Sequence, residues 1–180
     1  EMIVWGGSGS VAFAGMQTGG RYRPSTNSWV PTSTGSFVPT GGSFPGVWTG
    51  SELIVWGGPL GGRYSPALDA WTPTASVGAP STRTRHTLVW TGSQVIVWGG
   101  DDAAFHAINS GGRYSPSTDT WAATSLAGAP AARQDPTAVG TGGEMFVWGG
   151  MTDTATFFAS GGRYDPASDT WTATALGGAP

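Results

Sequence analysis

The chain has 180 residues, 38% of them hydrophobic and 11% charged, with a net charge of −3. That balance excludes a charge-driven disordered chain, and eight arginines without a basic patch leave no footprint for nucleic acid. Apolar runs of about four residues fall far short of a membrane-spanning helix, and the lack of cysteine excludes disulfides, thiolate metal sites and thiol nucleophiles.

In chain order, an apolar run at 2–5 ends in Trp5-Gly6-Gly7. A loop over 8–18 leads to Gly19-Gly20-Arg21-Tyr22, Pro24 opens a turn, and a strand starts at Trp29. The second module places a strand over 44–49 before the same set, and Thr49-Gly50-Ser51 turns it into 53–56, where glycine supplies the positive φ of a tight hairpin. A two-residue loop, Pro59-Leu60, then leads to Gly61-Gly62-Arg63-Tyr64, Pro66 and Trp71. The third module repeats this at 86–91, 95–98, a loop over 101–110, 111–114, Pro116 and Trp121. The fourth follows at 137–141, 145–148, a loop over 151–160, 161–164, Pro166 and Trp171.

In every copy the second Trp stands seven positions beyond the Tyr, and 27 positions separate it from the Trp of the next Trp-Gly-Gly. Such a fixed internal period marks a repeat architecture. The second strand of each module has four apolar residues in a row, as expected of a strand buried on both faces. No stretch has helical periodicity. Four-stranded antiparallel blades packed face to face around an axis satisfy this pattern, because their middle strands meet neighbours on both sides.

The paired glycines after an apolar strand, the Tyr and the Trp seven positions on resemble the kelch repeat, over essentially the whole chain. The Gly-Gly-Arg-Tyr form, with Thr-Gly-Ser-Glu at 49–52 and Thr-Gly-Gly-Glu at 141–144, is similar to kelch-containing proteins of bacteria, often secreted or on the cell surface. The resemblance implies an all-β, kelch-type β-propeller, 1–180 being a single propeller region with blades at approximately 1–38, 39–79, 80–129 and 130–180. The first blade lacks its opening strand, and family rings have six or seven blades, so the chain is expected to be part of a larger ring or to be completed by another chain. Its open edge then invites self-association.

Function is expected on the face carrying both the second-to-third-strand loops, where the modules differ in length, and the loops from each last strand to the next module's first. The single short loop, at Pro59-Leu60, predicts a low point among raised neighbours. Phe13, Phe105, Phe157 and Phe158 lie on the long loops. They either present an aromatic face to a sugar or protein, or fold inward to pack their own loop. Asp101, Asp102, His106 and Asn109 form the densest set of oxygen and nitrogen ligands. It matches no known metal loop, and a solvated polar loop is the other reading. Arg83, Arg85 and His86, with Arg133 and Asp135 in the next copy, begin strands that face the axis in the family. They either serve a ligand or bond loop carbonyls to fix the blades.

Three functions compete. A non-catalytic module binding a protein or glycan outside the cell, with no cofactor, leads. The second is a structural protein assembling through strand complementation, and the third a mutarotase-like sugar enzyme using Arg83, His86, Arg133 and Asp135. Copper oxidases of the family use a cysteine-linked tyrosine, which a chain without cysteine cannot form.

Overall fold

The computed structural model describes residues 1–7, 15–35, 37–39, 44–58 and 60–179. The described chain is all-β, and its fifteen strands form four antiparallel sheets. Sheet one contains β1 (Met2–Trp5), β2 (Gly19–Arg23) and β3 (Ser28–Pro31). Sheet two contains β4 (Gly46–Trp48), β5 (Leu53–Val55), β6 (Gly62–Ser65) and β7 (Ala70–Pro73). Sheet three contains β8 (Thr87–Trp90), β9 (Val95–Trp98), β10 (Gly111–Ser115) and β11 (Thr120–Ala123). Sheet four contains β12 (Thr137–Gly140), β13 (Met145–Trp148), β14 (Gly161–Asp165) and β15 (Thr170–Ala173). In each, strands pair in simple sequence order, giving blade-like meanders of three or four strands. Sheets one and two form one compact unit, Glu1–Thr74, and the chain from Ala75 onward forms a second.

The expected tight turns form: Thr49 and Glu52 exchange backbone and hydroxyl hydrogen bonds, and Gly50, Gly92 and Gly142 hold φ between 88° and 103°. The expected burial of the second strand holds best in β9, where all four residues are buried. It fails in β1: Ile3 and Trp5 pack into the core of the first unit, whereas Met2 and Val4 are about half exposed. The last strands begin one residue before the Trp, because Ala70 pairs with Ser65, Thr120 with Ser115 and Thr170 with Asp165.

Each core is built from aromatic pairs between and within sheets. Trp5 of sheet one meets Trp71 of sheet two with ring centroids 4.4 Å apart, and Trp98 of sheet three meets Trp171 of sheet four at 5.1 Å. The Trp of each last strand also lies against the Tyr directly across from it, at 4.9 to 5.2 Å. Burying one such ring removes ~150–250 Å² from water, on the order of 4–6 kcal/mol at about 25 cal/mol/Å².

The tyrosines carry a second, polar function. Tyr64, Tyr114 and Tyr164 donate to Asp69, Asp119 and Asp169 at 2.5, 2.5 and 2.6 Å, and half-buried Tyr22 donates to Asn27 at 2.8 Å through an exposed hydrogen bond. These acceptors all sit at φ between 46° and 54°, which Asp and Asn tolerate better than most residues. The same Asp69 oxygen accepts the backbone N–H of Ser33 just beyond β3, and Asp169 that of Ser125 just beyond β11. Within the second unit Asp119 likewise takes the N–H of Ala75. Trp121 and Trp171 donate their indole N–H to the carbonyls of Ala75 and Ser125. Arg21 and Arg113 complete the joint, donating to the carbonyls of Pro66 and Pro166 and lying 3.8 and 3.5 Å from Asp69 and Asp169.

Removing the phenol oxygen therefore has a cost that depends on burial. Tyr164→Phe is expected to lose about 1–2 kcal/mol and Tyr22→Phe less than about 0.5 kcal/mol, read as midpoint shifts in urea unfolding. The Tyr64 hydroxyl and the Ser33 N–H hold the Asp69 carboxyl below its usual range, with partial burial opposing and Arg21 adding. At Asp169 burial is the largest single influence and pushes upward, but Tyr164, the Ser125 N–H and Arg113 together bring it below the usual range. A depressed carboxylate contributes stability in full above its unfolded value of about 3.9 and loses it as pH falls through the folded value. Stability is thus expected to drop on acidification. Asp69→Asn with Asp169→Asn should flatten that drop, since Asn27 shows that the amide fits the same turn.

Candidate functional site

The loop between β9 and β10 and that between β13 and β14 follow one backbone plan. Asp101 bridges to Thr84 on one side and to Ala107 on the other, and Met151 bridges in the same way to Gln134 and Phe157. Each loop is thereby a small hairpin lying beside the segment that leads into β8 or β12. In the first, Asp102 N–H donates to the His106 carbonyl and Phe105 N–H to the Asp102 carbonyl. In the second, Thr152 and Ala155 do the same with Thr156 and Thr152. The turn needs a left-handed residue, and Phe105 (φ 63°) and Ala155 (φ 58°) occupy it. The hairpins are tied together where Ala107 N–H donates to Asp153 at 2.6 Å.

Arg83 and Arg133 fix this end of the sheets. Arg83 is buried and spends all five N–H donors, on the carbonyls of Ser81, Gly99 and Ser110 and the hydroxyls of Ser81 and Ser110. Arg133 repeats the pattern on the carbonyls of Ala131, Gly149 and Ser160 and the Ser160 hydroxyl, with its guanidinium carbon 4.2 Å from the centre of the Phe158 ring. Burial lowers both guanidinium pKa values, that of Arg83 to about 10, which leaves Arg83 charged at neutral pH.

The remaining site residues are placed as follows. Phe105 and Phe157 are 68% and 79% exposed, and Phe158 is half-buried. Phe105 and Phe157 are not equivalent: the registered bridges align Phe157 with Ala107, and the left-handed position aligns Phe105 with Ala155. His106 is exposed, its Nδ1 3.7 Å from Asp102. Asp102 caps its own turn, and the N–H groups of His106 and then Ala104 hold its carboxyl below the usual range against slight burial. Asp101 faces away from Asp102 and is fully buried, accepting from the Thr84 hydroxyl at 2.7 Å and from Arg85 at 2.5 Å. His86 is buried and Asp135 exposed. Phe13, and Pro59 of the short loop, lie outside the described residues. Among the described residues no group of three or more His, Asp or Glu is placed to hold a metal ion, and no helix is long and apolar enough to cross a membrane.

The Thr84, Arg85 and Asp101 cluster was not singled out from sequence. Its signal was available: the two loops lie fifty positions apart, and Asp101 faces Met151 in that alignment. No protein-family model matches the chain, and no curated protein matches it.

Lysine offers three donors without the planar fork, leaving buried carbonyls unpaired. Arg83→Lys is expected to destabilise the protein by about 2–4 kcal/mol in urea unfolding, with Arg133→Lys in the same range.

Proposed function

We propose that this chain is a kelch-type β-propeller region acting as a non-catalytic binding module, which presents its loop face to a glycan or protein ligand outside the cell. The observation that carries the reading is the pair of uncovered aromatics, Phe105 and Phe157, on two hairpins held together by the Ala107 to Asp153 hydrogen bond. Exposed single aromatics are common on surfaces, but Phe105 is exposed and also sits where an L-residue is strained by about 1–2 kcal/mol. The left-handed turn is shared with Ala155, so what distinguishes Phe105 is a large exposed ring placed where the equivalent turn manages with a methyl group.

A glycan is the ligand class that the neighbouring chemistry favours. Between the hairpins lies a recess of about 270 Å³ lined by Ala107, Ala132, Thr152, Asp153 and Thr154, whose polar groups are two hydroxyls and one carboxylate. It is slightly smaller than the ~300–1,000 Å³ typical of pockets for drug-sized ligands, a scale that suits one sugar ring. Phe105 and Phe157 lie on the same two hairpins, and an exposed aromatic face is one means of gripping a sugar ring.

Binding to an array of neutral oligosaccharides tests the reading. Phe105→Gly is expected to raise stability by up to about 1 kcal/mol, because glycine accepts the left-handed turn, and to abolish detectable glycan binding. Phe157→Ala should leave stability unchanged and weaken binding. Retained binding in both variants, or concentration-dependent polymers in light scattering with no glycan bound, would overturn the proposal in favour of assembly.

A further inference from the structure

Sheets three and four supply their own control experiment. Their loop hairpins share a backbone plan, yet Asp101 in one corresponds to Met151 in the other, Thr84 to Gln134 and Arg85 to Asp135. Methionine serves at that bridge, so the backbone plan does not require a carboxylate. A buried carboxylate is costly unless it is paired and hydrogen-bonded, and Asp101, with no side-chain exposure, is both. Thr84 donates to one oxygen at 2.7 Å and Arg85 to the other at 2.5 Å.

The consequence is an arginine anchored at one nitrogen and open elsewhere. The Arg85 side chain is 37% exposed, and its Nε and Nη1 have no hydrogen-bond partner among the described residues. Its backbone stands at φ 52°, a conformation unfavourable to arginine, so the placement is held by its surroundings. Beside it stands Asp135, exposed and at φ 50°, whose N–H donates to the Arg85 carbonyl at 2.9 Å. Asp101 and then Asp135 raise the Arg85 pKa against partial burial, which places the Asp135 charge within electrostatic reach.

Free N–H donors and a carboxylate acceptor therefore stand on residues joined by a backbone hydrogen bond, without pairing to each other. An anion meets two carboxylates there and a cation meets the guanidinium. A hydroxyl both donates and accepts, so two adjacent hydroxyls satisfy the pair together. Resting on the glycan-binding reading above, we propose that Arg85 and Asp135 bind a vicinal hydroxyl pair of a neutral sugar residue, with buried Asp101 as the residue that positions Arg85.

The test uses immobilised glucan, mannan and galactan, each before and after periodate, which cleaves the carbon–carbon bond between vicinal hydroxyls. Wild-type protein is expected to bind at least one untreated polysaccharide and to lose it after oxidation. Arg85→Lys and Asp135→Gly, both at exposed positions, should each weaken binding about tenfold or more without lowering the melting temperature, since glycine accepts the left-handed φ of Asp135. Asp101→Met should fold, as Met151 does in its place, and weaken binding to a similar degree. Combining it with Arg85→Lys should add little further loss, a coupling that a purely structural role would not produce. If Asp101→Met fails to fold, the two exposed variants decide the matter. Wild-type affinity in the Arg85 and Asp135 variants, with binding still lost in Phe105→Gly, overturns this inference and leaves the binding reading standing. Binding that survives periodate also overturns it, and absence of binding to all three polysaccharides by wild-type protein overturns both.

Discussion

In two of the repeats a single carboxylate oxygen joins three parts of the structure: the phenol of its own sheet, the turn in which it stands, and the backbone leaving the preceding sheet. Asp69 does this with Tyr64 and Ser33, and Asp169 with Tyr164 and Ser125. The aromatic pairs bury large rings beside the aliphatic core, but apolar contact is non-directional and does not by itself set how one sheet meets the next. The polar joint does, because both hydrogen bonds to one oxygen demand a specific approach. The raised pKa of Tyr64, caused first by burial and then by Asp69, keeps the phenol a donor at any ordinary pH.

The two ends of the sheets are built on different principles. At the turn end, Tyr, Asp and Trp recur with little change from copy to copy. At the loop end, only Arg83 and Arg133 and their serine and glycine carbonyl partners recur, and the residues around them diverge. The arginines bond the backbone at the base of the hairpins without dictating what the hairpins carry. That division lets Phe105, Arg85, Asp101 and Asp135 depart from the repeat at no cost to the joints between sheets, and it is why departures from periodicity are the informative positions here.

Legibility from sequence follows the same division. The strands were readable because spacing between Gly-Gly, Tyr and Trp never varies, and because four apolar residues in a row have few structural uses. The Tyr to Asp joint was visible only as recurrence: Asp69, Asp119 and Asp169 could be read as architecture, but not that they reach Ser33, Ala75 and Ser125. At the loop end, Phe105 and Phe157 were visible as loop aromatics, but the hairpin register that sets them at different positions was not. Asp101 drew attention as an oxygen ligand because it adjoins Asp102. Its burial and its partners Thr84 and Arg85 come from a bridge across seventeen positions that no local pattern encodes.

The joint also has a direction. The backbone leaving β3 is gripped by Asp69, made later in the chain, and that leaving β11 by Asp169 and Trp171. On a ribosome, where synthesis runs from the N-terminus, the exit of β3 or β11 cannot be locked until the following sheet has emerged. A nascent chain therefore always carries one loosely held outer strand at its growing end, and that strand is where chaperones or premature association would act.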